Sequence, residues 1–233
     1  MNLLSHVLYI NLDQRTDRKK HVEEQLNNIG ITNFQRFPAI KKDNGAIGCS
    51  LSHLQCLRIA KENNWDYVFI LEDDVLFLQP NLFLLQINRF LQSVPSWDVI
   101  LIAGNNFPPF EKINSSCIKV NKCQTTTAYI VHKHYYDTLI HNIHDGITQF
   151  MLYPNKPQIY AIDQYWFKLQ QLHKWFLLTP ICAIQKEDYS DIEKKVVSYK
   201  SVMTDFEKKN WLKNKQQKQQ TNQNPSLNQI KFY

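Results

Sequence analysis

A chain of 233 residues, 43% of them hydrophobic, is long enough to bury a sizeable core and too apolar for wholesale disorder. Its formal charge of +6 would suit a nucleic-acid partner, but Lys213, Lys215, Lys218 and Lys231 follow Trp211, in a stretch without acids. Without those four lysines the excess is only two, and no basic stripe interleaved with aromatics occurs elsewhere, so no nucleic-acid partner is expected.

Five cysteines (Cys49, Cys56, Cys117, Cys123, Cys182) are odd in number, scattered and without a C-x-x-C pair. They fit reduced thiols rather than a disulfide framework or a zinc finger. The run from Leu3 to Leu12 is apolar but interrupted by Ser5, His6 and Asn11, lacks a basic leader and a cleavage site, and is too short to span a bilayer. Nothing later reaches transmembrane length. The expectation is a cytoplasmic protein that works at most peripherally at a membrane face.

In chain order, Val7–Leu12 reads as a buried strand. Thr16 or Asp17 caps a helix whose apolar face is Val22, Leu26 and Ile29, with Gly30 as its stop. Residues 31–40 read as a strand ending near Pro38. After a loop over 41–48, Ser50 or Ser52 starts a helix carrying Leu51, Leu54 and Leu57. The continuous apolar run Tyr67–Leu71 has the signature of a strand covered on both faces. A helix follows Pro80 with Phe83, Ile87, Phe90 and Leu91 on one face, then strands over 97–103 and 125–131. Helices over 135–143 and 162–172 and a strand over 176–184 complete the body. Strands alternating with helices predict an α/β layered domain with a mostly parallel central sheet, taken as residues 1–212. Residues 213–233 are rich in Gln, Asn and Lys and are expected to form a flexible tail.

The chemistry is carried by Glu72-Asp73-Asp74, directly after the most buried strand. Open α/β sheets bind ligands in the crevice beyond the strand's carboxyl end. In extended backbone Glu72 and Asp74 project to one face and Asp73 to the other, so Glu72 and Asp74 suit a hard divalent cation open to phosphate, with Asp73 assisting in binding the donor. A solvated turn after a strand is the competing reading. Five glycines supply neither a phosphate loop nor a dinucleotide fingerprint, and no G-x-S-x-G elbow or H-E-x-x-H pair is present.

Three segments, taken in order, resemble glycosyltransferase family 25, which includes bacterial lipooligosaccharide glycosyltransferases and collagen galactosyltransferases. They are Tyr9-Ile10-Asn11-Leu12-Asp13-Gln14-Arg15-Thr16-Asp17-Arg18, Gly48-Cys49-Ser50-Leu51-Ser52-His53 and Ile70-Leu71-Glu72-Asp73-Asp74-Val75. A weaker echo is Gln185 followed by Ser190-Asp191-Ile192, and Gln14 departs from the arginine frequent in the family. The resemblance implies a GT-A-like, Rossmann-type nucleotide-sugar-binding fold. It also implies a UDP-sugar donor assisted by Mn²⁺ or Mg²⁺, and inversion at the anomeric carbon.

On that footing Asn11 and Asp13 are placed to meet the base or ribose, with a capped loop as the alternative. Arg15 and Arg18 fork towards the diphosphate, unless Arg18 pairs with a carboxylate to fix the first loop. Ser52 and His53 lie at a helix N-terminus that favours anions, although His53 equally suits a buried anchor. Asp163, at a strand-to-helix junction, is the candidate base for the acceptor hydroxyl, with helix capping as its rival. Asp188 and Asp191 are second choices, for base or metal. The reading is transfer of a hexose, galactose or glucose, to a glycan, lipid-linked or protein acceptor. The alternative is an inactive relative that binds a carbohydrate or partner.

Overall fold

Alternation along the buried strands decides the architecture, because successive side chains point to opposite faces and both faces are apolar. The computed structural model describes residues 3–209; the expected domain boundary at 212 and the tail at 213–233 lie outside them. The first half holds β1 (Val7–Asn11), α1 (Thr16–Asn28), β2 (Gln35–Pro38), α2 (Gly45–Glu62), β3 (Tyr67–Glu72), β4 (Val75–Phe77) and α3 (Pro80–Ser93). There follow β5 (Val99–Asn106), β6 (Glu111–Lys112), β7 (Cys117–Lys119), β8 (Cys123–His132), α4 (Tyr136–Leu152), α5 (Pro157–Tyr160), α6 (Ile162–Tyr165) and α7 (Phe167–Leu172). The last elements are β9 (Trp175–Leu178), β10 (Ala183–Gln185), β11 (Asp188–Ser190), β12 (Lys195–Val197) and α8 (Lys200–Thr204).

Eight strands form the main sheet in the order β2-β1-β3-β8-β5-β9-β7-β6. The pairings β1–β2, β1–β3 and β5–β9 are parallel, while β8 runs against both β3 and β5, and β7 against β9 and β6. Six strands therefore point one way and two the other, in a mixed sheet with three of its seven pairings parallel, within the α/β architecture expected from the sequence. One face buries Tyr9, Phe69 and Leu71 against Val22 and Leu26 of α1 and Phe83 and Phe90 of α3. The other buries Leu8, Val68 and Ile70 against Leu54 and Leu57 of α2, Leu139 and Ile143 of α4, and Trp166. Each fully buried Phe or Leu contributes about 1.5–3 kcal/mol. Among the described residues, no helix is long and apolar enough to cross a membrane.

Several boundaries differ from expectation. Helix α2 begins at Gly45, capped by the Asn44 side chain, which accepts from the Ala46 and Ile47 amides. Ser50 and Ser52 are inside it, their hydroxyls donating back to Ala46 O at 2.9 Å and Gly48 O at 2.8 Å. The early start is possible because residue 48 is glycine: a Cβ there would lie 2.4 Å from Ile40 O. The helix expected over 135–143 continues to Leu152, and that over 162–172 breaks at Trp166 into α6 and α7. The strand expected over 176–184 divides around Thr179-Pro180, and the strand after Trp97 runs on to Asn106. Gly30 does stop α1, with a left-handed φ of +76° that lets the Ile31 amide return to Leu26 O.

Gly48→Ala is expected to lower stability by about 1–3 kcal/mol, because the helix and the Ile40 carbonyl cannot both keep their places. A thermal midpoint falling by several degrees would register it; an unchanged midpoint would mean that the 39–43 loop yields freely.

Candidate functional site

At the carboxyl ends of β1 and β3 lies a cleft of about 280 Å³. The β2–α2 loop (residues 39–43) forms one wall, and the turn of the β11–β12 hairpin (190–192 and 194) forms another. The acidic triplet lies at its floor, but not in the extended geometry expected. Strand β3 ends at Glu72, Asp73-Asp74 make a tight turn, and the chain returns as β4. A turn brings consecutive side chains together, so Asp73 and Asp74 share Arg18 Nη1, at 3.1 and 3.0 Å, and Glu72 faces elsewhere. The expected Glu72/Asp74 pairing on one face is thereby corrected.

Glu72 Oε1 accepts from Thr126 Oγ1 at 2.8 Å, meets His53 Nε2 at 3.3 Å and takes the Cys49 thiol at 3.5 Å. Burial works to raise its pKa, but these partners prevail and hold the carboxyl below its ordinary range. His53 is fully buried and its Nδ1 lies 2.8 Å from Tyr129 Oη. Cys49, His53 and Glu72 bring their ligand atoms within 4.8 Å of one another. Cys49 and His53 both reach Glu72 and so link α2 to β3, and burial raises the Cys49 thiol well above its usual value.

Asp73 is spanned by Asn11 Nδ2 at 2.7 Å and Arg18. Asp74 Oδ2 takes Arg18 and Gln185 Nε2, both at 3.0 Å, while its Oδ1 is buried with no partner among the described residues. Burial, then the Glu72 charge, pushes the Asp74 carboxyl above the aspartate range despite Arg18; burial raises Asp73 as well. An orphaned carboxylate oxygen beside the cleft is the feature of the site that best fits a hard cation.

The other expected residues divide. Asn11 lines the cleft but its side chain is spent on Asp73, Arg15 O at 3.0 Å and Arg36 Nε at 2.9 Å. Asp13 is exposed, outside the cleft wall, and pairs with Arg36 at 2.6 Å. Ser52 and His53 are not at a helix N-terminus: Ser52 lies deep in α2 and accepts from the Ile40 amide at 2.8 Å, holding the loop. Arg15 donates to Asp17, Asp188, Asp191 and Tyr189 O, and Arg18 to Asp73, Asp74, Asp188 and Tyr189 O. Asp188 and Asp191 are thus arginine partners. Asp163 lies in the first turn of α6, after α5 rather than after a strand, and accepts from the Thr125 amide at 3.2 Å. It does not cap its own helix, and it is not among the residues that line the cleft. Burial raises its affinity for a proton, the Thr125 amide opposes this, and the Glu72 charge adds to it. Thr126, Tyr129, Gln185, Lys41, Lys42 and Lys194 belong to the site and were not singled out for it from the sequence; only Gln185 carried a motif signal.

The model of glycosyltransferase family 25 (LPS biosynthesis protein) matches residues 43–166, just over half of the chain. A Haemophilus influenzae protein named "putative glycosyltransferase" is 43% identical over 54 residues. That stretch is 23% of this chain and 19% of the relative, so only a fifth of the relative's length is matched. Among solved structures, a protein from STIV gives a TM-score of 0.46 at 12% identity, over 82% of this chain and 92% of that one. A glycosyltransferase involved in glycosylation of the major capsid of PBCV-1 gives 0.45 at 14% identity, over 86% and 88%. Likeness at this level assigns no activity.

Asp74 has a signature in the ligand-free protein. A carboxyl with a raised folded pKa stabilises the fold most below the unfolded value of about 4, and that contribution is lost as pH rises towards neutrality. Asp74→Asn is therefore expected to gain on the wild type steadily between about pH 4 and 7, in denaturant titrations with a chelator present. A constant gap across that range would contradict the raised pKa.

Proposed function

Because the chain belongs to glycosyltransferase family 25, we propose that it transfers a hexose, galactose or glucose, from a UDP-sugar to an acceptor hydroxyl with inversion. The observation that carries this is Asp74 Oδ1, unpartnered among the described residues, beside a cleft at the carboxyl ends of β1 and β3, where a GT-A-like sheet receives its nucleotide. Asp74, with Asp73 turned beside it, would hold Mn²⁺ or Mg²⁺; Glu72 supports the turn from the other side. Such a cation, when bound, neutralises charge on the departing diphosphate.

The remaining chemistry falls to the chain's own groups. Asp163 is proposed as the base that takes the acceptor proton, its carboxyl fixed by the Thr125 amide. A single displacement needs only this proton transfer, a held donor and a placed acceptor. The acceptor is a glycan, free, lipid-linked or on protein; the family's description as an LPS biosynthesis protein favours the lipid-linked class. One observation favours a second reading, a sugar- or partner-binding module without transfer: Arg18 already sits on both Asp73 and Asp74.

Thermal unfolding with UDP, with Mn²⁺ and with both separates the two readings. A donor site predicts a shift that needs both, since a ligand at about 100 times its dissociation constant adds roughly 2.7 kcal/mol. Asp74→Ala should lose that joint shift and sugar transfer while staying folded, and unaltered turnover would sink the metal assignment. Asp163→Asn should keep the joint shift and lower kcat by about 100-fold or more.

A further inference from the structure

We propose that Lys41, Lys42 and Lys194 grip the donor's diphosphate, and that Arg15 and Arg18 serve to fasten the hairpin carrying Lys194. The proposal takes from the reading above only the identity of the ligand as a nucleoside diphosphate.

Hydrogen-bond capacity decides between the two sets of cations. A guanidinium has five N–H groups. Arg15 makes five bonds with them, to Asp17 at 3.1 and 2.9 Å, Asp188 at 3.0 Å, Asp191 at 2.6 Å and Tyr189 O at 3.3 Å. Arg18 makes four, to Asp73, Asp74, Asp188 at 3.1 Å and Tyr189 O at 2.9 Å. Their charge is met by carboxylates, and all five donors of Arg15 and four of the five of Arg18 are engaged, so a phosphate would find one Arg18 N–H and would otherwise have to displace an existing partner.

Lys41, Lys42 and Lys194 all line the cleft and are exposed, and no ion pair or side-chain hydrogen bond engages any of them among the described residues. Asp43, also on the cleft wall, adjoins Lys42, and Glu193 adjoins Lys194 but is engaged by Lys195 and the Tyr199 hydroxyl. The three ammonium groups come from two walls, Lys41 and Lys42 from the β2–α2 loop and Lys194 from the β11–β12 turn. Lys194 takes a left-handed φ of +56°, costly for a lysine, at the close of that turn. An anion held between the walls would tie the hairpin to the loop across the cleft mouth. Flexible ammonium groups suit a diphosphate that must enter and leave, since each gives a point charge without demanding a fixed fork.

The test is calorimetric binding of UDP, inorganic pyrophosphate and uridine to the full chain in EDTA, so that no cation bridges. Wild type should bind UDP and pyrophosphate, more weakly as salt rises. Lys194→Gln and the double variant Lys41→Gln/Lys42→Gln should each weaken both by about 3- to 10-fold, and the triple variant by about 100-fold, with uridine unchanged. Circular dichroism and thermal midpoints of these surface variants should match wild type. If the triple variant binds UDP as the wild type does, the lysine grip is wrong and the transferase reading stands. Binding of pyrophosphate but not UDP leaves the grip standing and removes the nucleotide donor. Binding of neither anion overturns the grip.

Discussion

The Arg18 guanidinium holds the site together. From the first turn of α1 it reaches the Asp73-Asp74 turn after β3 and the β11–β12 hairpin, elements more than a hundred residues apart. Its side chain is 11% exposed and that of Asp74 6%. At that depth an ion pair yields little net stability, because the cost of desolvating both charges offsets their attraction, and Arg18 keeps Asp73 and Asp188 if Asp74 is removed. The arrangement therefore specifies geometry more than it adds stability. It keeps two carboxyl groups side by side and holds the hairpin over the cleft, at the cost of one oxygen, Asp74 Oδ1, without a partner among the described residues.

Glu72 and the two aspartates, adjacent in sequence, consequently do different work. The turn sends Glu72 towards α2 and β8, where a hydroxyl, an imidazole and a thiol surround one oxygen. It sends Asp73 and Asp74 towards α1 and β10. The opposite directions of the Glu72 and Asp74 pKa shifts follow from this division. Three donors favour the charged form of Glu72. Among the described residues Asp74 has two donors on one oxygen, none on the other, and two neighbouring carboxyl groups.

What could be read from the sequence was what depends on short spacing. The faces Val22-Leu26-Ile29 and Phe83-Ile87-Phe90, the run Tyr67–Leu71 and the stop at Gly30 each follow from local periodicity or a single backbone requirement. The site needed more. Whether Glu72 and Asp74 share a face depends on a tight turn, and that turn exists because β4 pairs with β10, whose register lies over a hundred residues downstream. The fate of Arg15 and Arg18 depends on a hairpin at 188–197 too short and polar to announce itself. Ser52 looked like a helix start because Ser is a good cap; Asn44 was an equally good cap eight residues earlier, and Gly48 made the earlier start sterically possible. Thr126 gave no signal, since only the antiparallel β3–β8 pairing brings it to Glu72.

Thr125 shows how that pairing serves both carboxylates outside the arginine cluster. It has a φ of +75°, an outlier for a β-branched residue, and its buried hydroxyl has no partner among the described residues. Such a conformation costs on the order of 1–3 kcal/mol and persists only where the surroundings fix it. Here they do: the β5–β8 ladder slips register between Ala103 and Asn105, releasing the Thr125 amide to donate to Asp163. One residue later the Thr126 hydroxyl donates to Glu72, and two residues earlier the Cys123 carbonyl accepts from Trp166 and Gln170. Regular pairing would keep the Thr125 amide in the ladder and leave Asp163 without that donor. The strained residue is what lets one strand end hold Asp163 on one side and Glu72 on the other.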